Sequence, residues 1–189
     1  MRFGNVPDQR FIARGRLICH DDLCLDTALA ELEWVAAIEA GSIAEVGMPA
    51  PNFEAHLLKD DGGISTELLT LSGLEPMPTG LIFGCYTCPI FRHQTDRMKQ
   101  IIRRHKQRVR FLFVYVVEAH PIDGWNTPSN KAANIMYRQP QDLSERAAIA
   151  QPWRATSELQ NPVVLDWHDN RINEAYAGSP ERPYVLDAE

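Results

Sequence analysis

Apolar and polar positions along this chain fall into short blocks whose spacing changes several times. Between residues 26 and 40, Leu29, Leu32, Val35 or Ala36, and Ile38 or Glu39 recur at helical spacing, with Asp26 as cap and Gly41 as stop. From Val46 the pattern shortens. The proline-stiffened lead Gly47 to Phe53 enters a strand over 54–58, and Lys59-Asp60-Asp61-Gly62-Gly63 turns it into a hairpin with Ile64 and Ser65. Residues 66–74 are expected to cross to a central strand at 81–84. A helix follows over 89–107, with Phe91, Met98, Ile101 and Ile102 on its buried face and His105 at its margin. The run Val-Arg-Phe-Leu-Phe-Val-Tyr-Val-Val at 109–117 suits a strand covered on both faces, as in a parallel sheet. After a polar insertion come a helix at 143–150, a strand at 161–166, a helix at 170–176 and a last strand at 184–187 opened by Pro183.

Strand, helix, strand in that order implies a right-handed crossover, and chemistry then sits at the carboxyl ends of the two strands. Residues 84–88 lie at one such end and residues 118–120 at the other, so His120 should face the intervening cysteines. Residues 1–45 read as an arm with one helix, which either packs on the sheet or pairs with another copy. Residues 46–189 read as one α/β domain, with a lid-like or substrate-binding insertion at about 121–142.

Composition changes this picture little. The chain has 189 residues and a net charge of −6, which gives no reason to expect nucleic acid. Seven basic residues between Arg92 and Arg108 crowd the 89–107 helix, but most lie toward its C-terminal end, where cations complement the dipole, and no aromatics interleave them. A solvated face is the reading. No apolar stretch reaches membrane-spanning length and the N-terminus has no secretory h-region, so a cytoplasmic location is expected.

Candidate chemistry concentrates in Gly84-Cys85-Tyr86-Thr87-Cys88-Pro89. Proline is favoured at the first turn of a helix, which places Cys88 at a helix N-terminus. Free N–H groups and the positive dipole end there should lower the pKa of the Cys88 thiol and make it nucleophilic. In a reducing compartment a CxxC is more often catalytic than a staple, and no second pair stands at zinc-ligand spacing, so no metal is expected. Spacing does not decide which of Cys85 and Cys88 attacks. Cys19 and Cys24, flanked by Leu17, Ile18, Leu23 and Leu25, read as half-buried thiols.

Three blocks carry a family resemblance. The segment Phe83-Gly84-Cys85-Tyr86-Thr87-Cys88-Pro89-Ile90-Phe91 resembles the active-site block of the iodothyronine deiodinases, in a bacterial-type form with Cys88 where that family has selenocysteine. Val114-Tyr115-Val116-Val117-Glu118-Ala119-His120-Pro121-Ile122-Asp123-Gly124-Trp125 resembles a second block, and residues 169–185 resemble the closing segment. The resemblance implies a thioredoxin-like, three-layer α/β sandwich with a mixed, mostly parallel sheet, related also to peroxiredoxins. It implies a further strand and helix after Glu189, so the domain reads as short at its C-terminus. It implies an oxidoreductase that removes iodine from iodinated phenols, with Cys88 attacking and Cys85 resolving. By the same resemblance Tyr115, Glu118 and His120, supported by Thr87, form a proton relay; Arg182 contacts the substrate's polar end, or else pairs with Glu181 or Asp187. Pro183 takes the place of the fold's cis-proline facing the active cysteine. No cofactor is implied beyond an external dithiol reductant of the thioredoxin or glutathione type, and a homodimer is compatible. Tyr86 replaces a family cysteine, and Tyr137-Arg138-Gln139-Pro140 stands where a second histidine is expected. Two further functions stay open: a peroxiredoxin-like thiol peroxidase or thiol-disulfide oxidoreductase without deiodinase activity, and a non-catalytic binding domain.

Overall fold

The computed structural model describes residues 22–188. A helix α1 (Asp22–Gly41) leads into the hairpin β1 (Glu54–Leu58) and β2 (Ile64–Thr70). Then come β3 (Thr79–Gly84), α2 (Pro89–His105), β4 (Arg110–Tyr115), the short α3 (Pro128–Ala132), α4 (Leu143–Ser157), β5 (Val163–Leu165), α5 (Arg171–Tyr176) and β6 (Arg182–Leu186). One six-stranded sheet results, in the order β2-β1-β5-β4-β3-β6. β3, β4 and β5 are parallel neighbours, while β6 runs antiparallel to β3 and β1 antiparallel to β5.

Strand alternation splits the core in two. Phe113 and Tyr115 of β4 point to one face, where they meet Phe91 and Ile102 of α2 and Ala147, Ala150 and Trp153 of α4. Leu112 and Val114 point to the other, with Leu81 and Phe83 of β3 and Ile172 and Tyr176 of α5. The layers are therefore α2 and α4, the sheet, and α5. Trp153 stacks on Phe91 at 5.4 Å between centroids and meets Phe113 edge-on at 5.6 Å. Gly84 ends β3 because a Cβ there would lie 2.4 Å from the Phe91 ring, so no side chain fits between strand and helix.

Several expectations need correction. β2 continues to Thr70 and pairs with β1 as far as Glu54, where a crossing segment was expected. In α2, Met98 packs against the core as expected, but Ile101 is 47 % exposed. Helix α4 runs seven residues past Ala150, through Pro152, to Ser157. Pro152 removes one helical N–H, but Trp153, only 2 % exposed, ties this turn to the core. In the arm, Ile38 is buried, whereas Leu32 is 51 % exposed, so the apolar stripe is only partly covered. Ile43 and Ala44 N–H groups both donate to Ala175 O at 3.1 Å, tying the arm to α5. Cys19 and His20 lie outside the described residues, as does the side chain of Cys24.

Candidate active site

The β3–α2 junction holds both cysteines. Cys88 is the N-cap of α2 and Pro89 follows it, as the sequence implies; its Sγ accepts the Phe91 N–H at 3.5 Å. Cys85 Sγ accepts the Ala119 N–H from the end of the neighbouring strand, at 3.2 Å. Both thiols are free. The parallel pairing of Gly84 with Tyr115 brings the two strand ends together, so the segments carrying Cys85 and His120 meet as the crossover argument requires.

Both thiols are also buried, Cys85 at 0 % and Cys88 at 1 % exposure. This overturns the expectation of a lowered Cys88 pKa. Burial pushes that thiol up to about 11, and the helix N–H groups and Arg92 offset only part of the rise. Cys85 is raised well above its ordinary value, first by burial and then by the nearby Glu118 carboxylate. Both thiols are therefore protonated at neutral pH, and attack needs a reactant to reach a buried sulfur and a base to take its proton.

The acceptor is already in place. Glu118, 1 % exposed, receives Thr87 Oγ1 at 2.7 Å and Thr87 N–H at 2.9 Å on one oxygen, and Tyr115 O–H at 2.5 Å on the other. Tyr115 in turn accepts the Tyr86 N–H at 3.0 Å. Thr87 Oγ1 stands 3.8 Å from Cys85 Sγ and accepts the His120 N–H at 3.1 Å. Burial raises the Glu118 pKa, against the opposing effect of the three donors. The side-chain chain thus runs Cys85, Thr87, Glu118, Tyr115, and it is connected to Cys85 rather than to Cys88.

His120 enters this chain through its backbone. Its ring Nδ1 donates to Trp125 O at 3.0 Å, which fixes the proton on Nδ1 and leaves Nε2 as an acceptor. Burial lowers its pKa, so the ring is neutral at pH 7. Pro183 and Arg182 make other contacts. Pro183 pairs with Ile82 inside β6, and the cis peptide lies at Ser179–Pro180 instead. The Arg182 guanidinium pairs with Glu39 of α1 at 2.5 Å, not with Glu181. Tyr137, in the position where a histidine is expected, lies 5.6 Å from the Tyr86 ring.

Residues not singled out in the sequence complete the site. Gln139 clamps the Glu118 backbone, accepting its N–H at 2.9 Å and donating to its carbonyl at 3.0 Å. Asn130, fully buried in α3, donates to Thr87 O at 2.8 Å, so the insertion contributes a side chain to the site. Arg146, 2 % exposed, donates to the carbonyls of Asp166 and Trp167, both at 2.7 Å. The Asp166 carboxylate receives the N–H groups of Trp167, Ile172 and Asn173, yet burial still raises it to about 6. Its folded-state pKa lies above its unfolded one, so its share of stability is full below about pH 4 and is lost as pH rises through about 6. Asp166→Asn should lower stability at acid pH by spoiling the Asn173 bond. It should also remove about 3 kcal/mol of pH-dependent change between pH 4 and 7, read from urea unfolding across that range.

With this geometry in hand, comparison with known proteins decides the family. The sequence model of the iodothyronine deiodinases matches residues 14–189. The chain belongs to the iodothyronine deiodinase family. Human thyroxine 5-deiodinase is 32 % identical over 193 aligned positions, which cover 96 % of this chain and 61 % of that one. Rat type II iodothyronine deiodinase is 30 % identical over 147 positions, or 77 % of this chain and 55 % of the relative. The chain thus spans about half to three fifths of the length of these relatives. The fold is thioredoxin-like: the thioredoxin domain of a thiol-disulfide oxidoreductase from Bacteroides vulgatus superposes with a TM-score of 0.52 at 14 % identity, covering 77 % of this chain and 84 % of that domain. Among the described residues no helix is long and apolar enough to cross a membrane.

Proposed function

We propose that this protein is a thiol-dependent reductive dehalogenase of iodinated phenols, working in a reducing compartment with an external dithiol. The observation that carries the reading is the hydrogen-bonded path from Cys85 through Thr87 to the buried Glu118, set beside a second thiol at a helix N-terminus. Membership of the deiodinase family supplies the substrate class.

Cys88 attacks as the thiolate, its sulfur taking the iodine from the ring. The ring carbon takes up the proton that Cys88 gave up on ionising, leaving a sulfenyl iodide on Cys88. Cys85 S–H then passes its proton to Thr87 Oγ1 as the Thr87 proton moves to Glu118. The Cys85 thiolate, received by the Ala119 N–H, attacks Cys88 and expels iodide. A dithiol of the thioredoxin or glutathione type reduces the Cys85–Cys88 disulfide and is itself oxidised. His120, neutral and bonded to Trp125, exposes an Nε2 that can carry the proton to the ring carbon once protonated. Arg182 is proposed to reach a substrate only by leaving Glu39, and Pro183 to contribute backbone shape alone.

The test is incubation of the protein with 3,5-diiodotyrosine or an iodothyronine and dithiothreitol, with iodide release and peroxide consumption measured in parallel. Catalytic iodide release supports the reading. Peroxide consumption with no iodide replaces it by the thiol peroxidase alternative, which uses the same two cysteines.

A further inference from the structure

Arg92 belongs, by sequence, to a basic helix face that reads as solvated, yet it turns back over the CxxC turn. It follows Cys88 by four residues, so both lie on one side of the first turn of α2, and its N–H closes on Cys88 O at 3.2 Å. Nη1 donates to Tyr86 O at 2.6 Å and Nη2 to Asn130 Oδ1 at 2.9 Å. Its Cζ lies 6.0 Å from the centre of the Tyr86 ring. Asn130, with no exposed surface, donates from Nδ2 to Thr87 O at 2.8 Å and to His120 O at 3.5 Å. One guanidinium and one amide therefore hold the carbonyls of Tyr86, Thr87 and His120, the backbone that surrounds both thiols. The hydrogen-bond partners of Arg92 among the described residues are all neutral: Tyr86 O, Asn130 Oδ1 and Cys88 O.

We infer that Arg92 is the positioning cation of this site: anchored by Asn130, it braces the Tyr86–Thr87 turn and supplies Cys88 with the positive field that its attack requires. This rests on the reading of Cys88 as the nucleophile. The groups facing Cys88 are few. The Glu181 carboxylate, on the loop before β6 and held by Gln94 at 3.1 Å, opposes the thiolate; Arg92 favours it; and Cys85 shares the same buried cluster. Arg92 also disfavours a charged His120 ring.

The inference is tested by the pH dependence of Cys88 alkylation by iodoacetamide, read by peptide mass spectrometry on the full chain carrying Cys85→Ser. Arg92→Gln should slow alkylation at pH 7 about three- to tenfold and move the titration midpoint up by about half to one unit. Arg92→Lys, which keeps the charge but loses the fork onto Tyr86 O and Asn130, should fall between the parent and the glutamine variant, and Glu181→Gln should move the midpoint down. Should Arg92→Gln not fold, Asn130→Ser carries the test, since it frees the guanidinium without removing it and should slow alkylation about twofold or more. An unmoved midpoint in Arg92→Gln, or equal losses in the Gln and Lys variants, overturns the inference. Alkylation needs no substrate, so a protein that fails to dehalogenate but shows these shifts leaves the role of Arg92 standing.

Discussion

Cys88→Ser removes turnover, by about three orders of magnitude or more, with little change in stability. A serine hydroxyl ionises far less readily than a thiol, and its oxygen is a poor nucleophile toward iodine, peroxide or sulfur. The fold should tolerate the exchange. The residue caps α2 and accepts the Phe91 N–H, a task that serine performs as well or better, so the change in stability should stay within about 1 kcal/mol. Cys85→Ser behaves differently. The first attack survives, one equivalent of deiodinated phenol is formed, and turnover then stalls at the Cys88 sulfenyl iodide unless an external thiol attacks it. Formation of the deiodinated phenol in a rapid-mixing experiment without added thiol separates the two variants, while circular dichroism confirms that both are folded. If Cys88→Ser gives the single burst and Cys85→Ser is inert, the order of attack is the reverse and the first cysteine of the motif is the nucleophile.

The junction that carries these thiols was legible before any coordinates. Gly84, the CxxC and Pro89 mark strand end, turn and helix start by local chemistry alone, and the continuous apolar run at 109–117 marks the neighbouring parallel strand. What local pattern could not supply was depth. Helix position argues for a lowered Cys88 pKa, but desolvation outweighs the dipole once Phe91, Tyr115 and Trp153 close over the motif. Nor does a sequence show which side chains span an insertion. Asn130 lies in a polar segment that resembles a mobile loop, yet Thr127 caps α3 from its side-chain oxygen, Pro128 opens it, and the amide turns inward. The Thr-Pro pair is the signal that could have disclosed a helix there. Arg92 and Arg146 were hidden differently: each is an arginine on a helix, and only the third dimension shows that one is half-buried and the other fully so. The cis peptide falls at Ser179–Pro180, three residues before Pro183, which pairs with Ile82 in the edge strand.

Glu118→Gln separates the chemistry of the relay from its architecture. The amide oxygen can still accept from Thr87 N–H and Oγ1, and Tyr115 can rotate its hydroxyl to accept from the new NH2, so the variant should fold. Glu118→Ala leaves the Thr87 N–H, the Thr87 hydroxyl and the Tyr115 hydroxyl without their acceptor inside the core. Each such group costs about 1–3 kcal/mol, so that variant should lose roughly 3–6 kcal/mol after relaxation. In the glutamine variant nothing receives the Cys85 proton, and disulfide closure should slow by about 10²–10⁴-fold, the range that a positioned base contributes. Attack by Cys88 precedes that step, so its oxidised form should accumulate. With peroxide as oxidant the trapped species is a Cys88 sulfenic acid, and dimedone labelling at that residue should rise as the Cys85–Cys88 disulfide disappears. A glutamine variant that closes the disulfide at the parent rate would detach Glu118 from the resolving thiol. The 3.8 Å approach of Thr87 to Cys85 would then be packing alone.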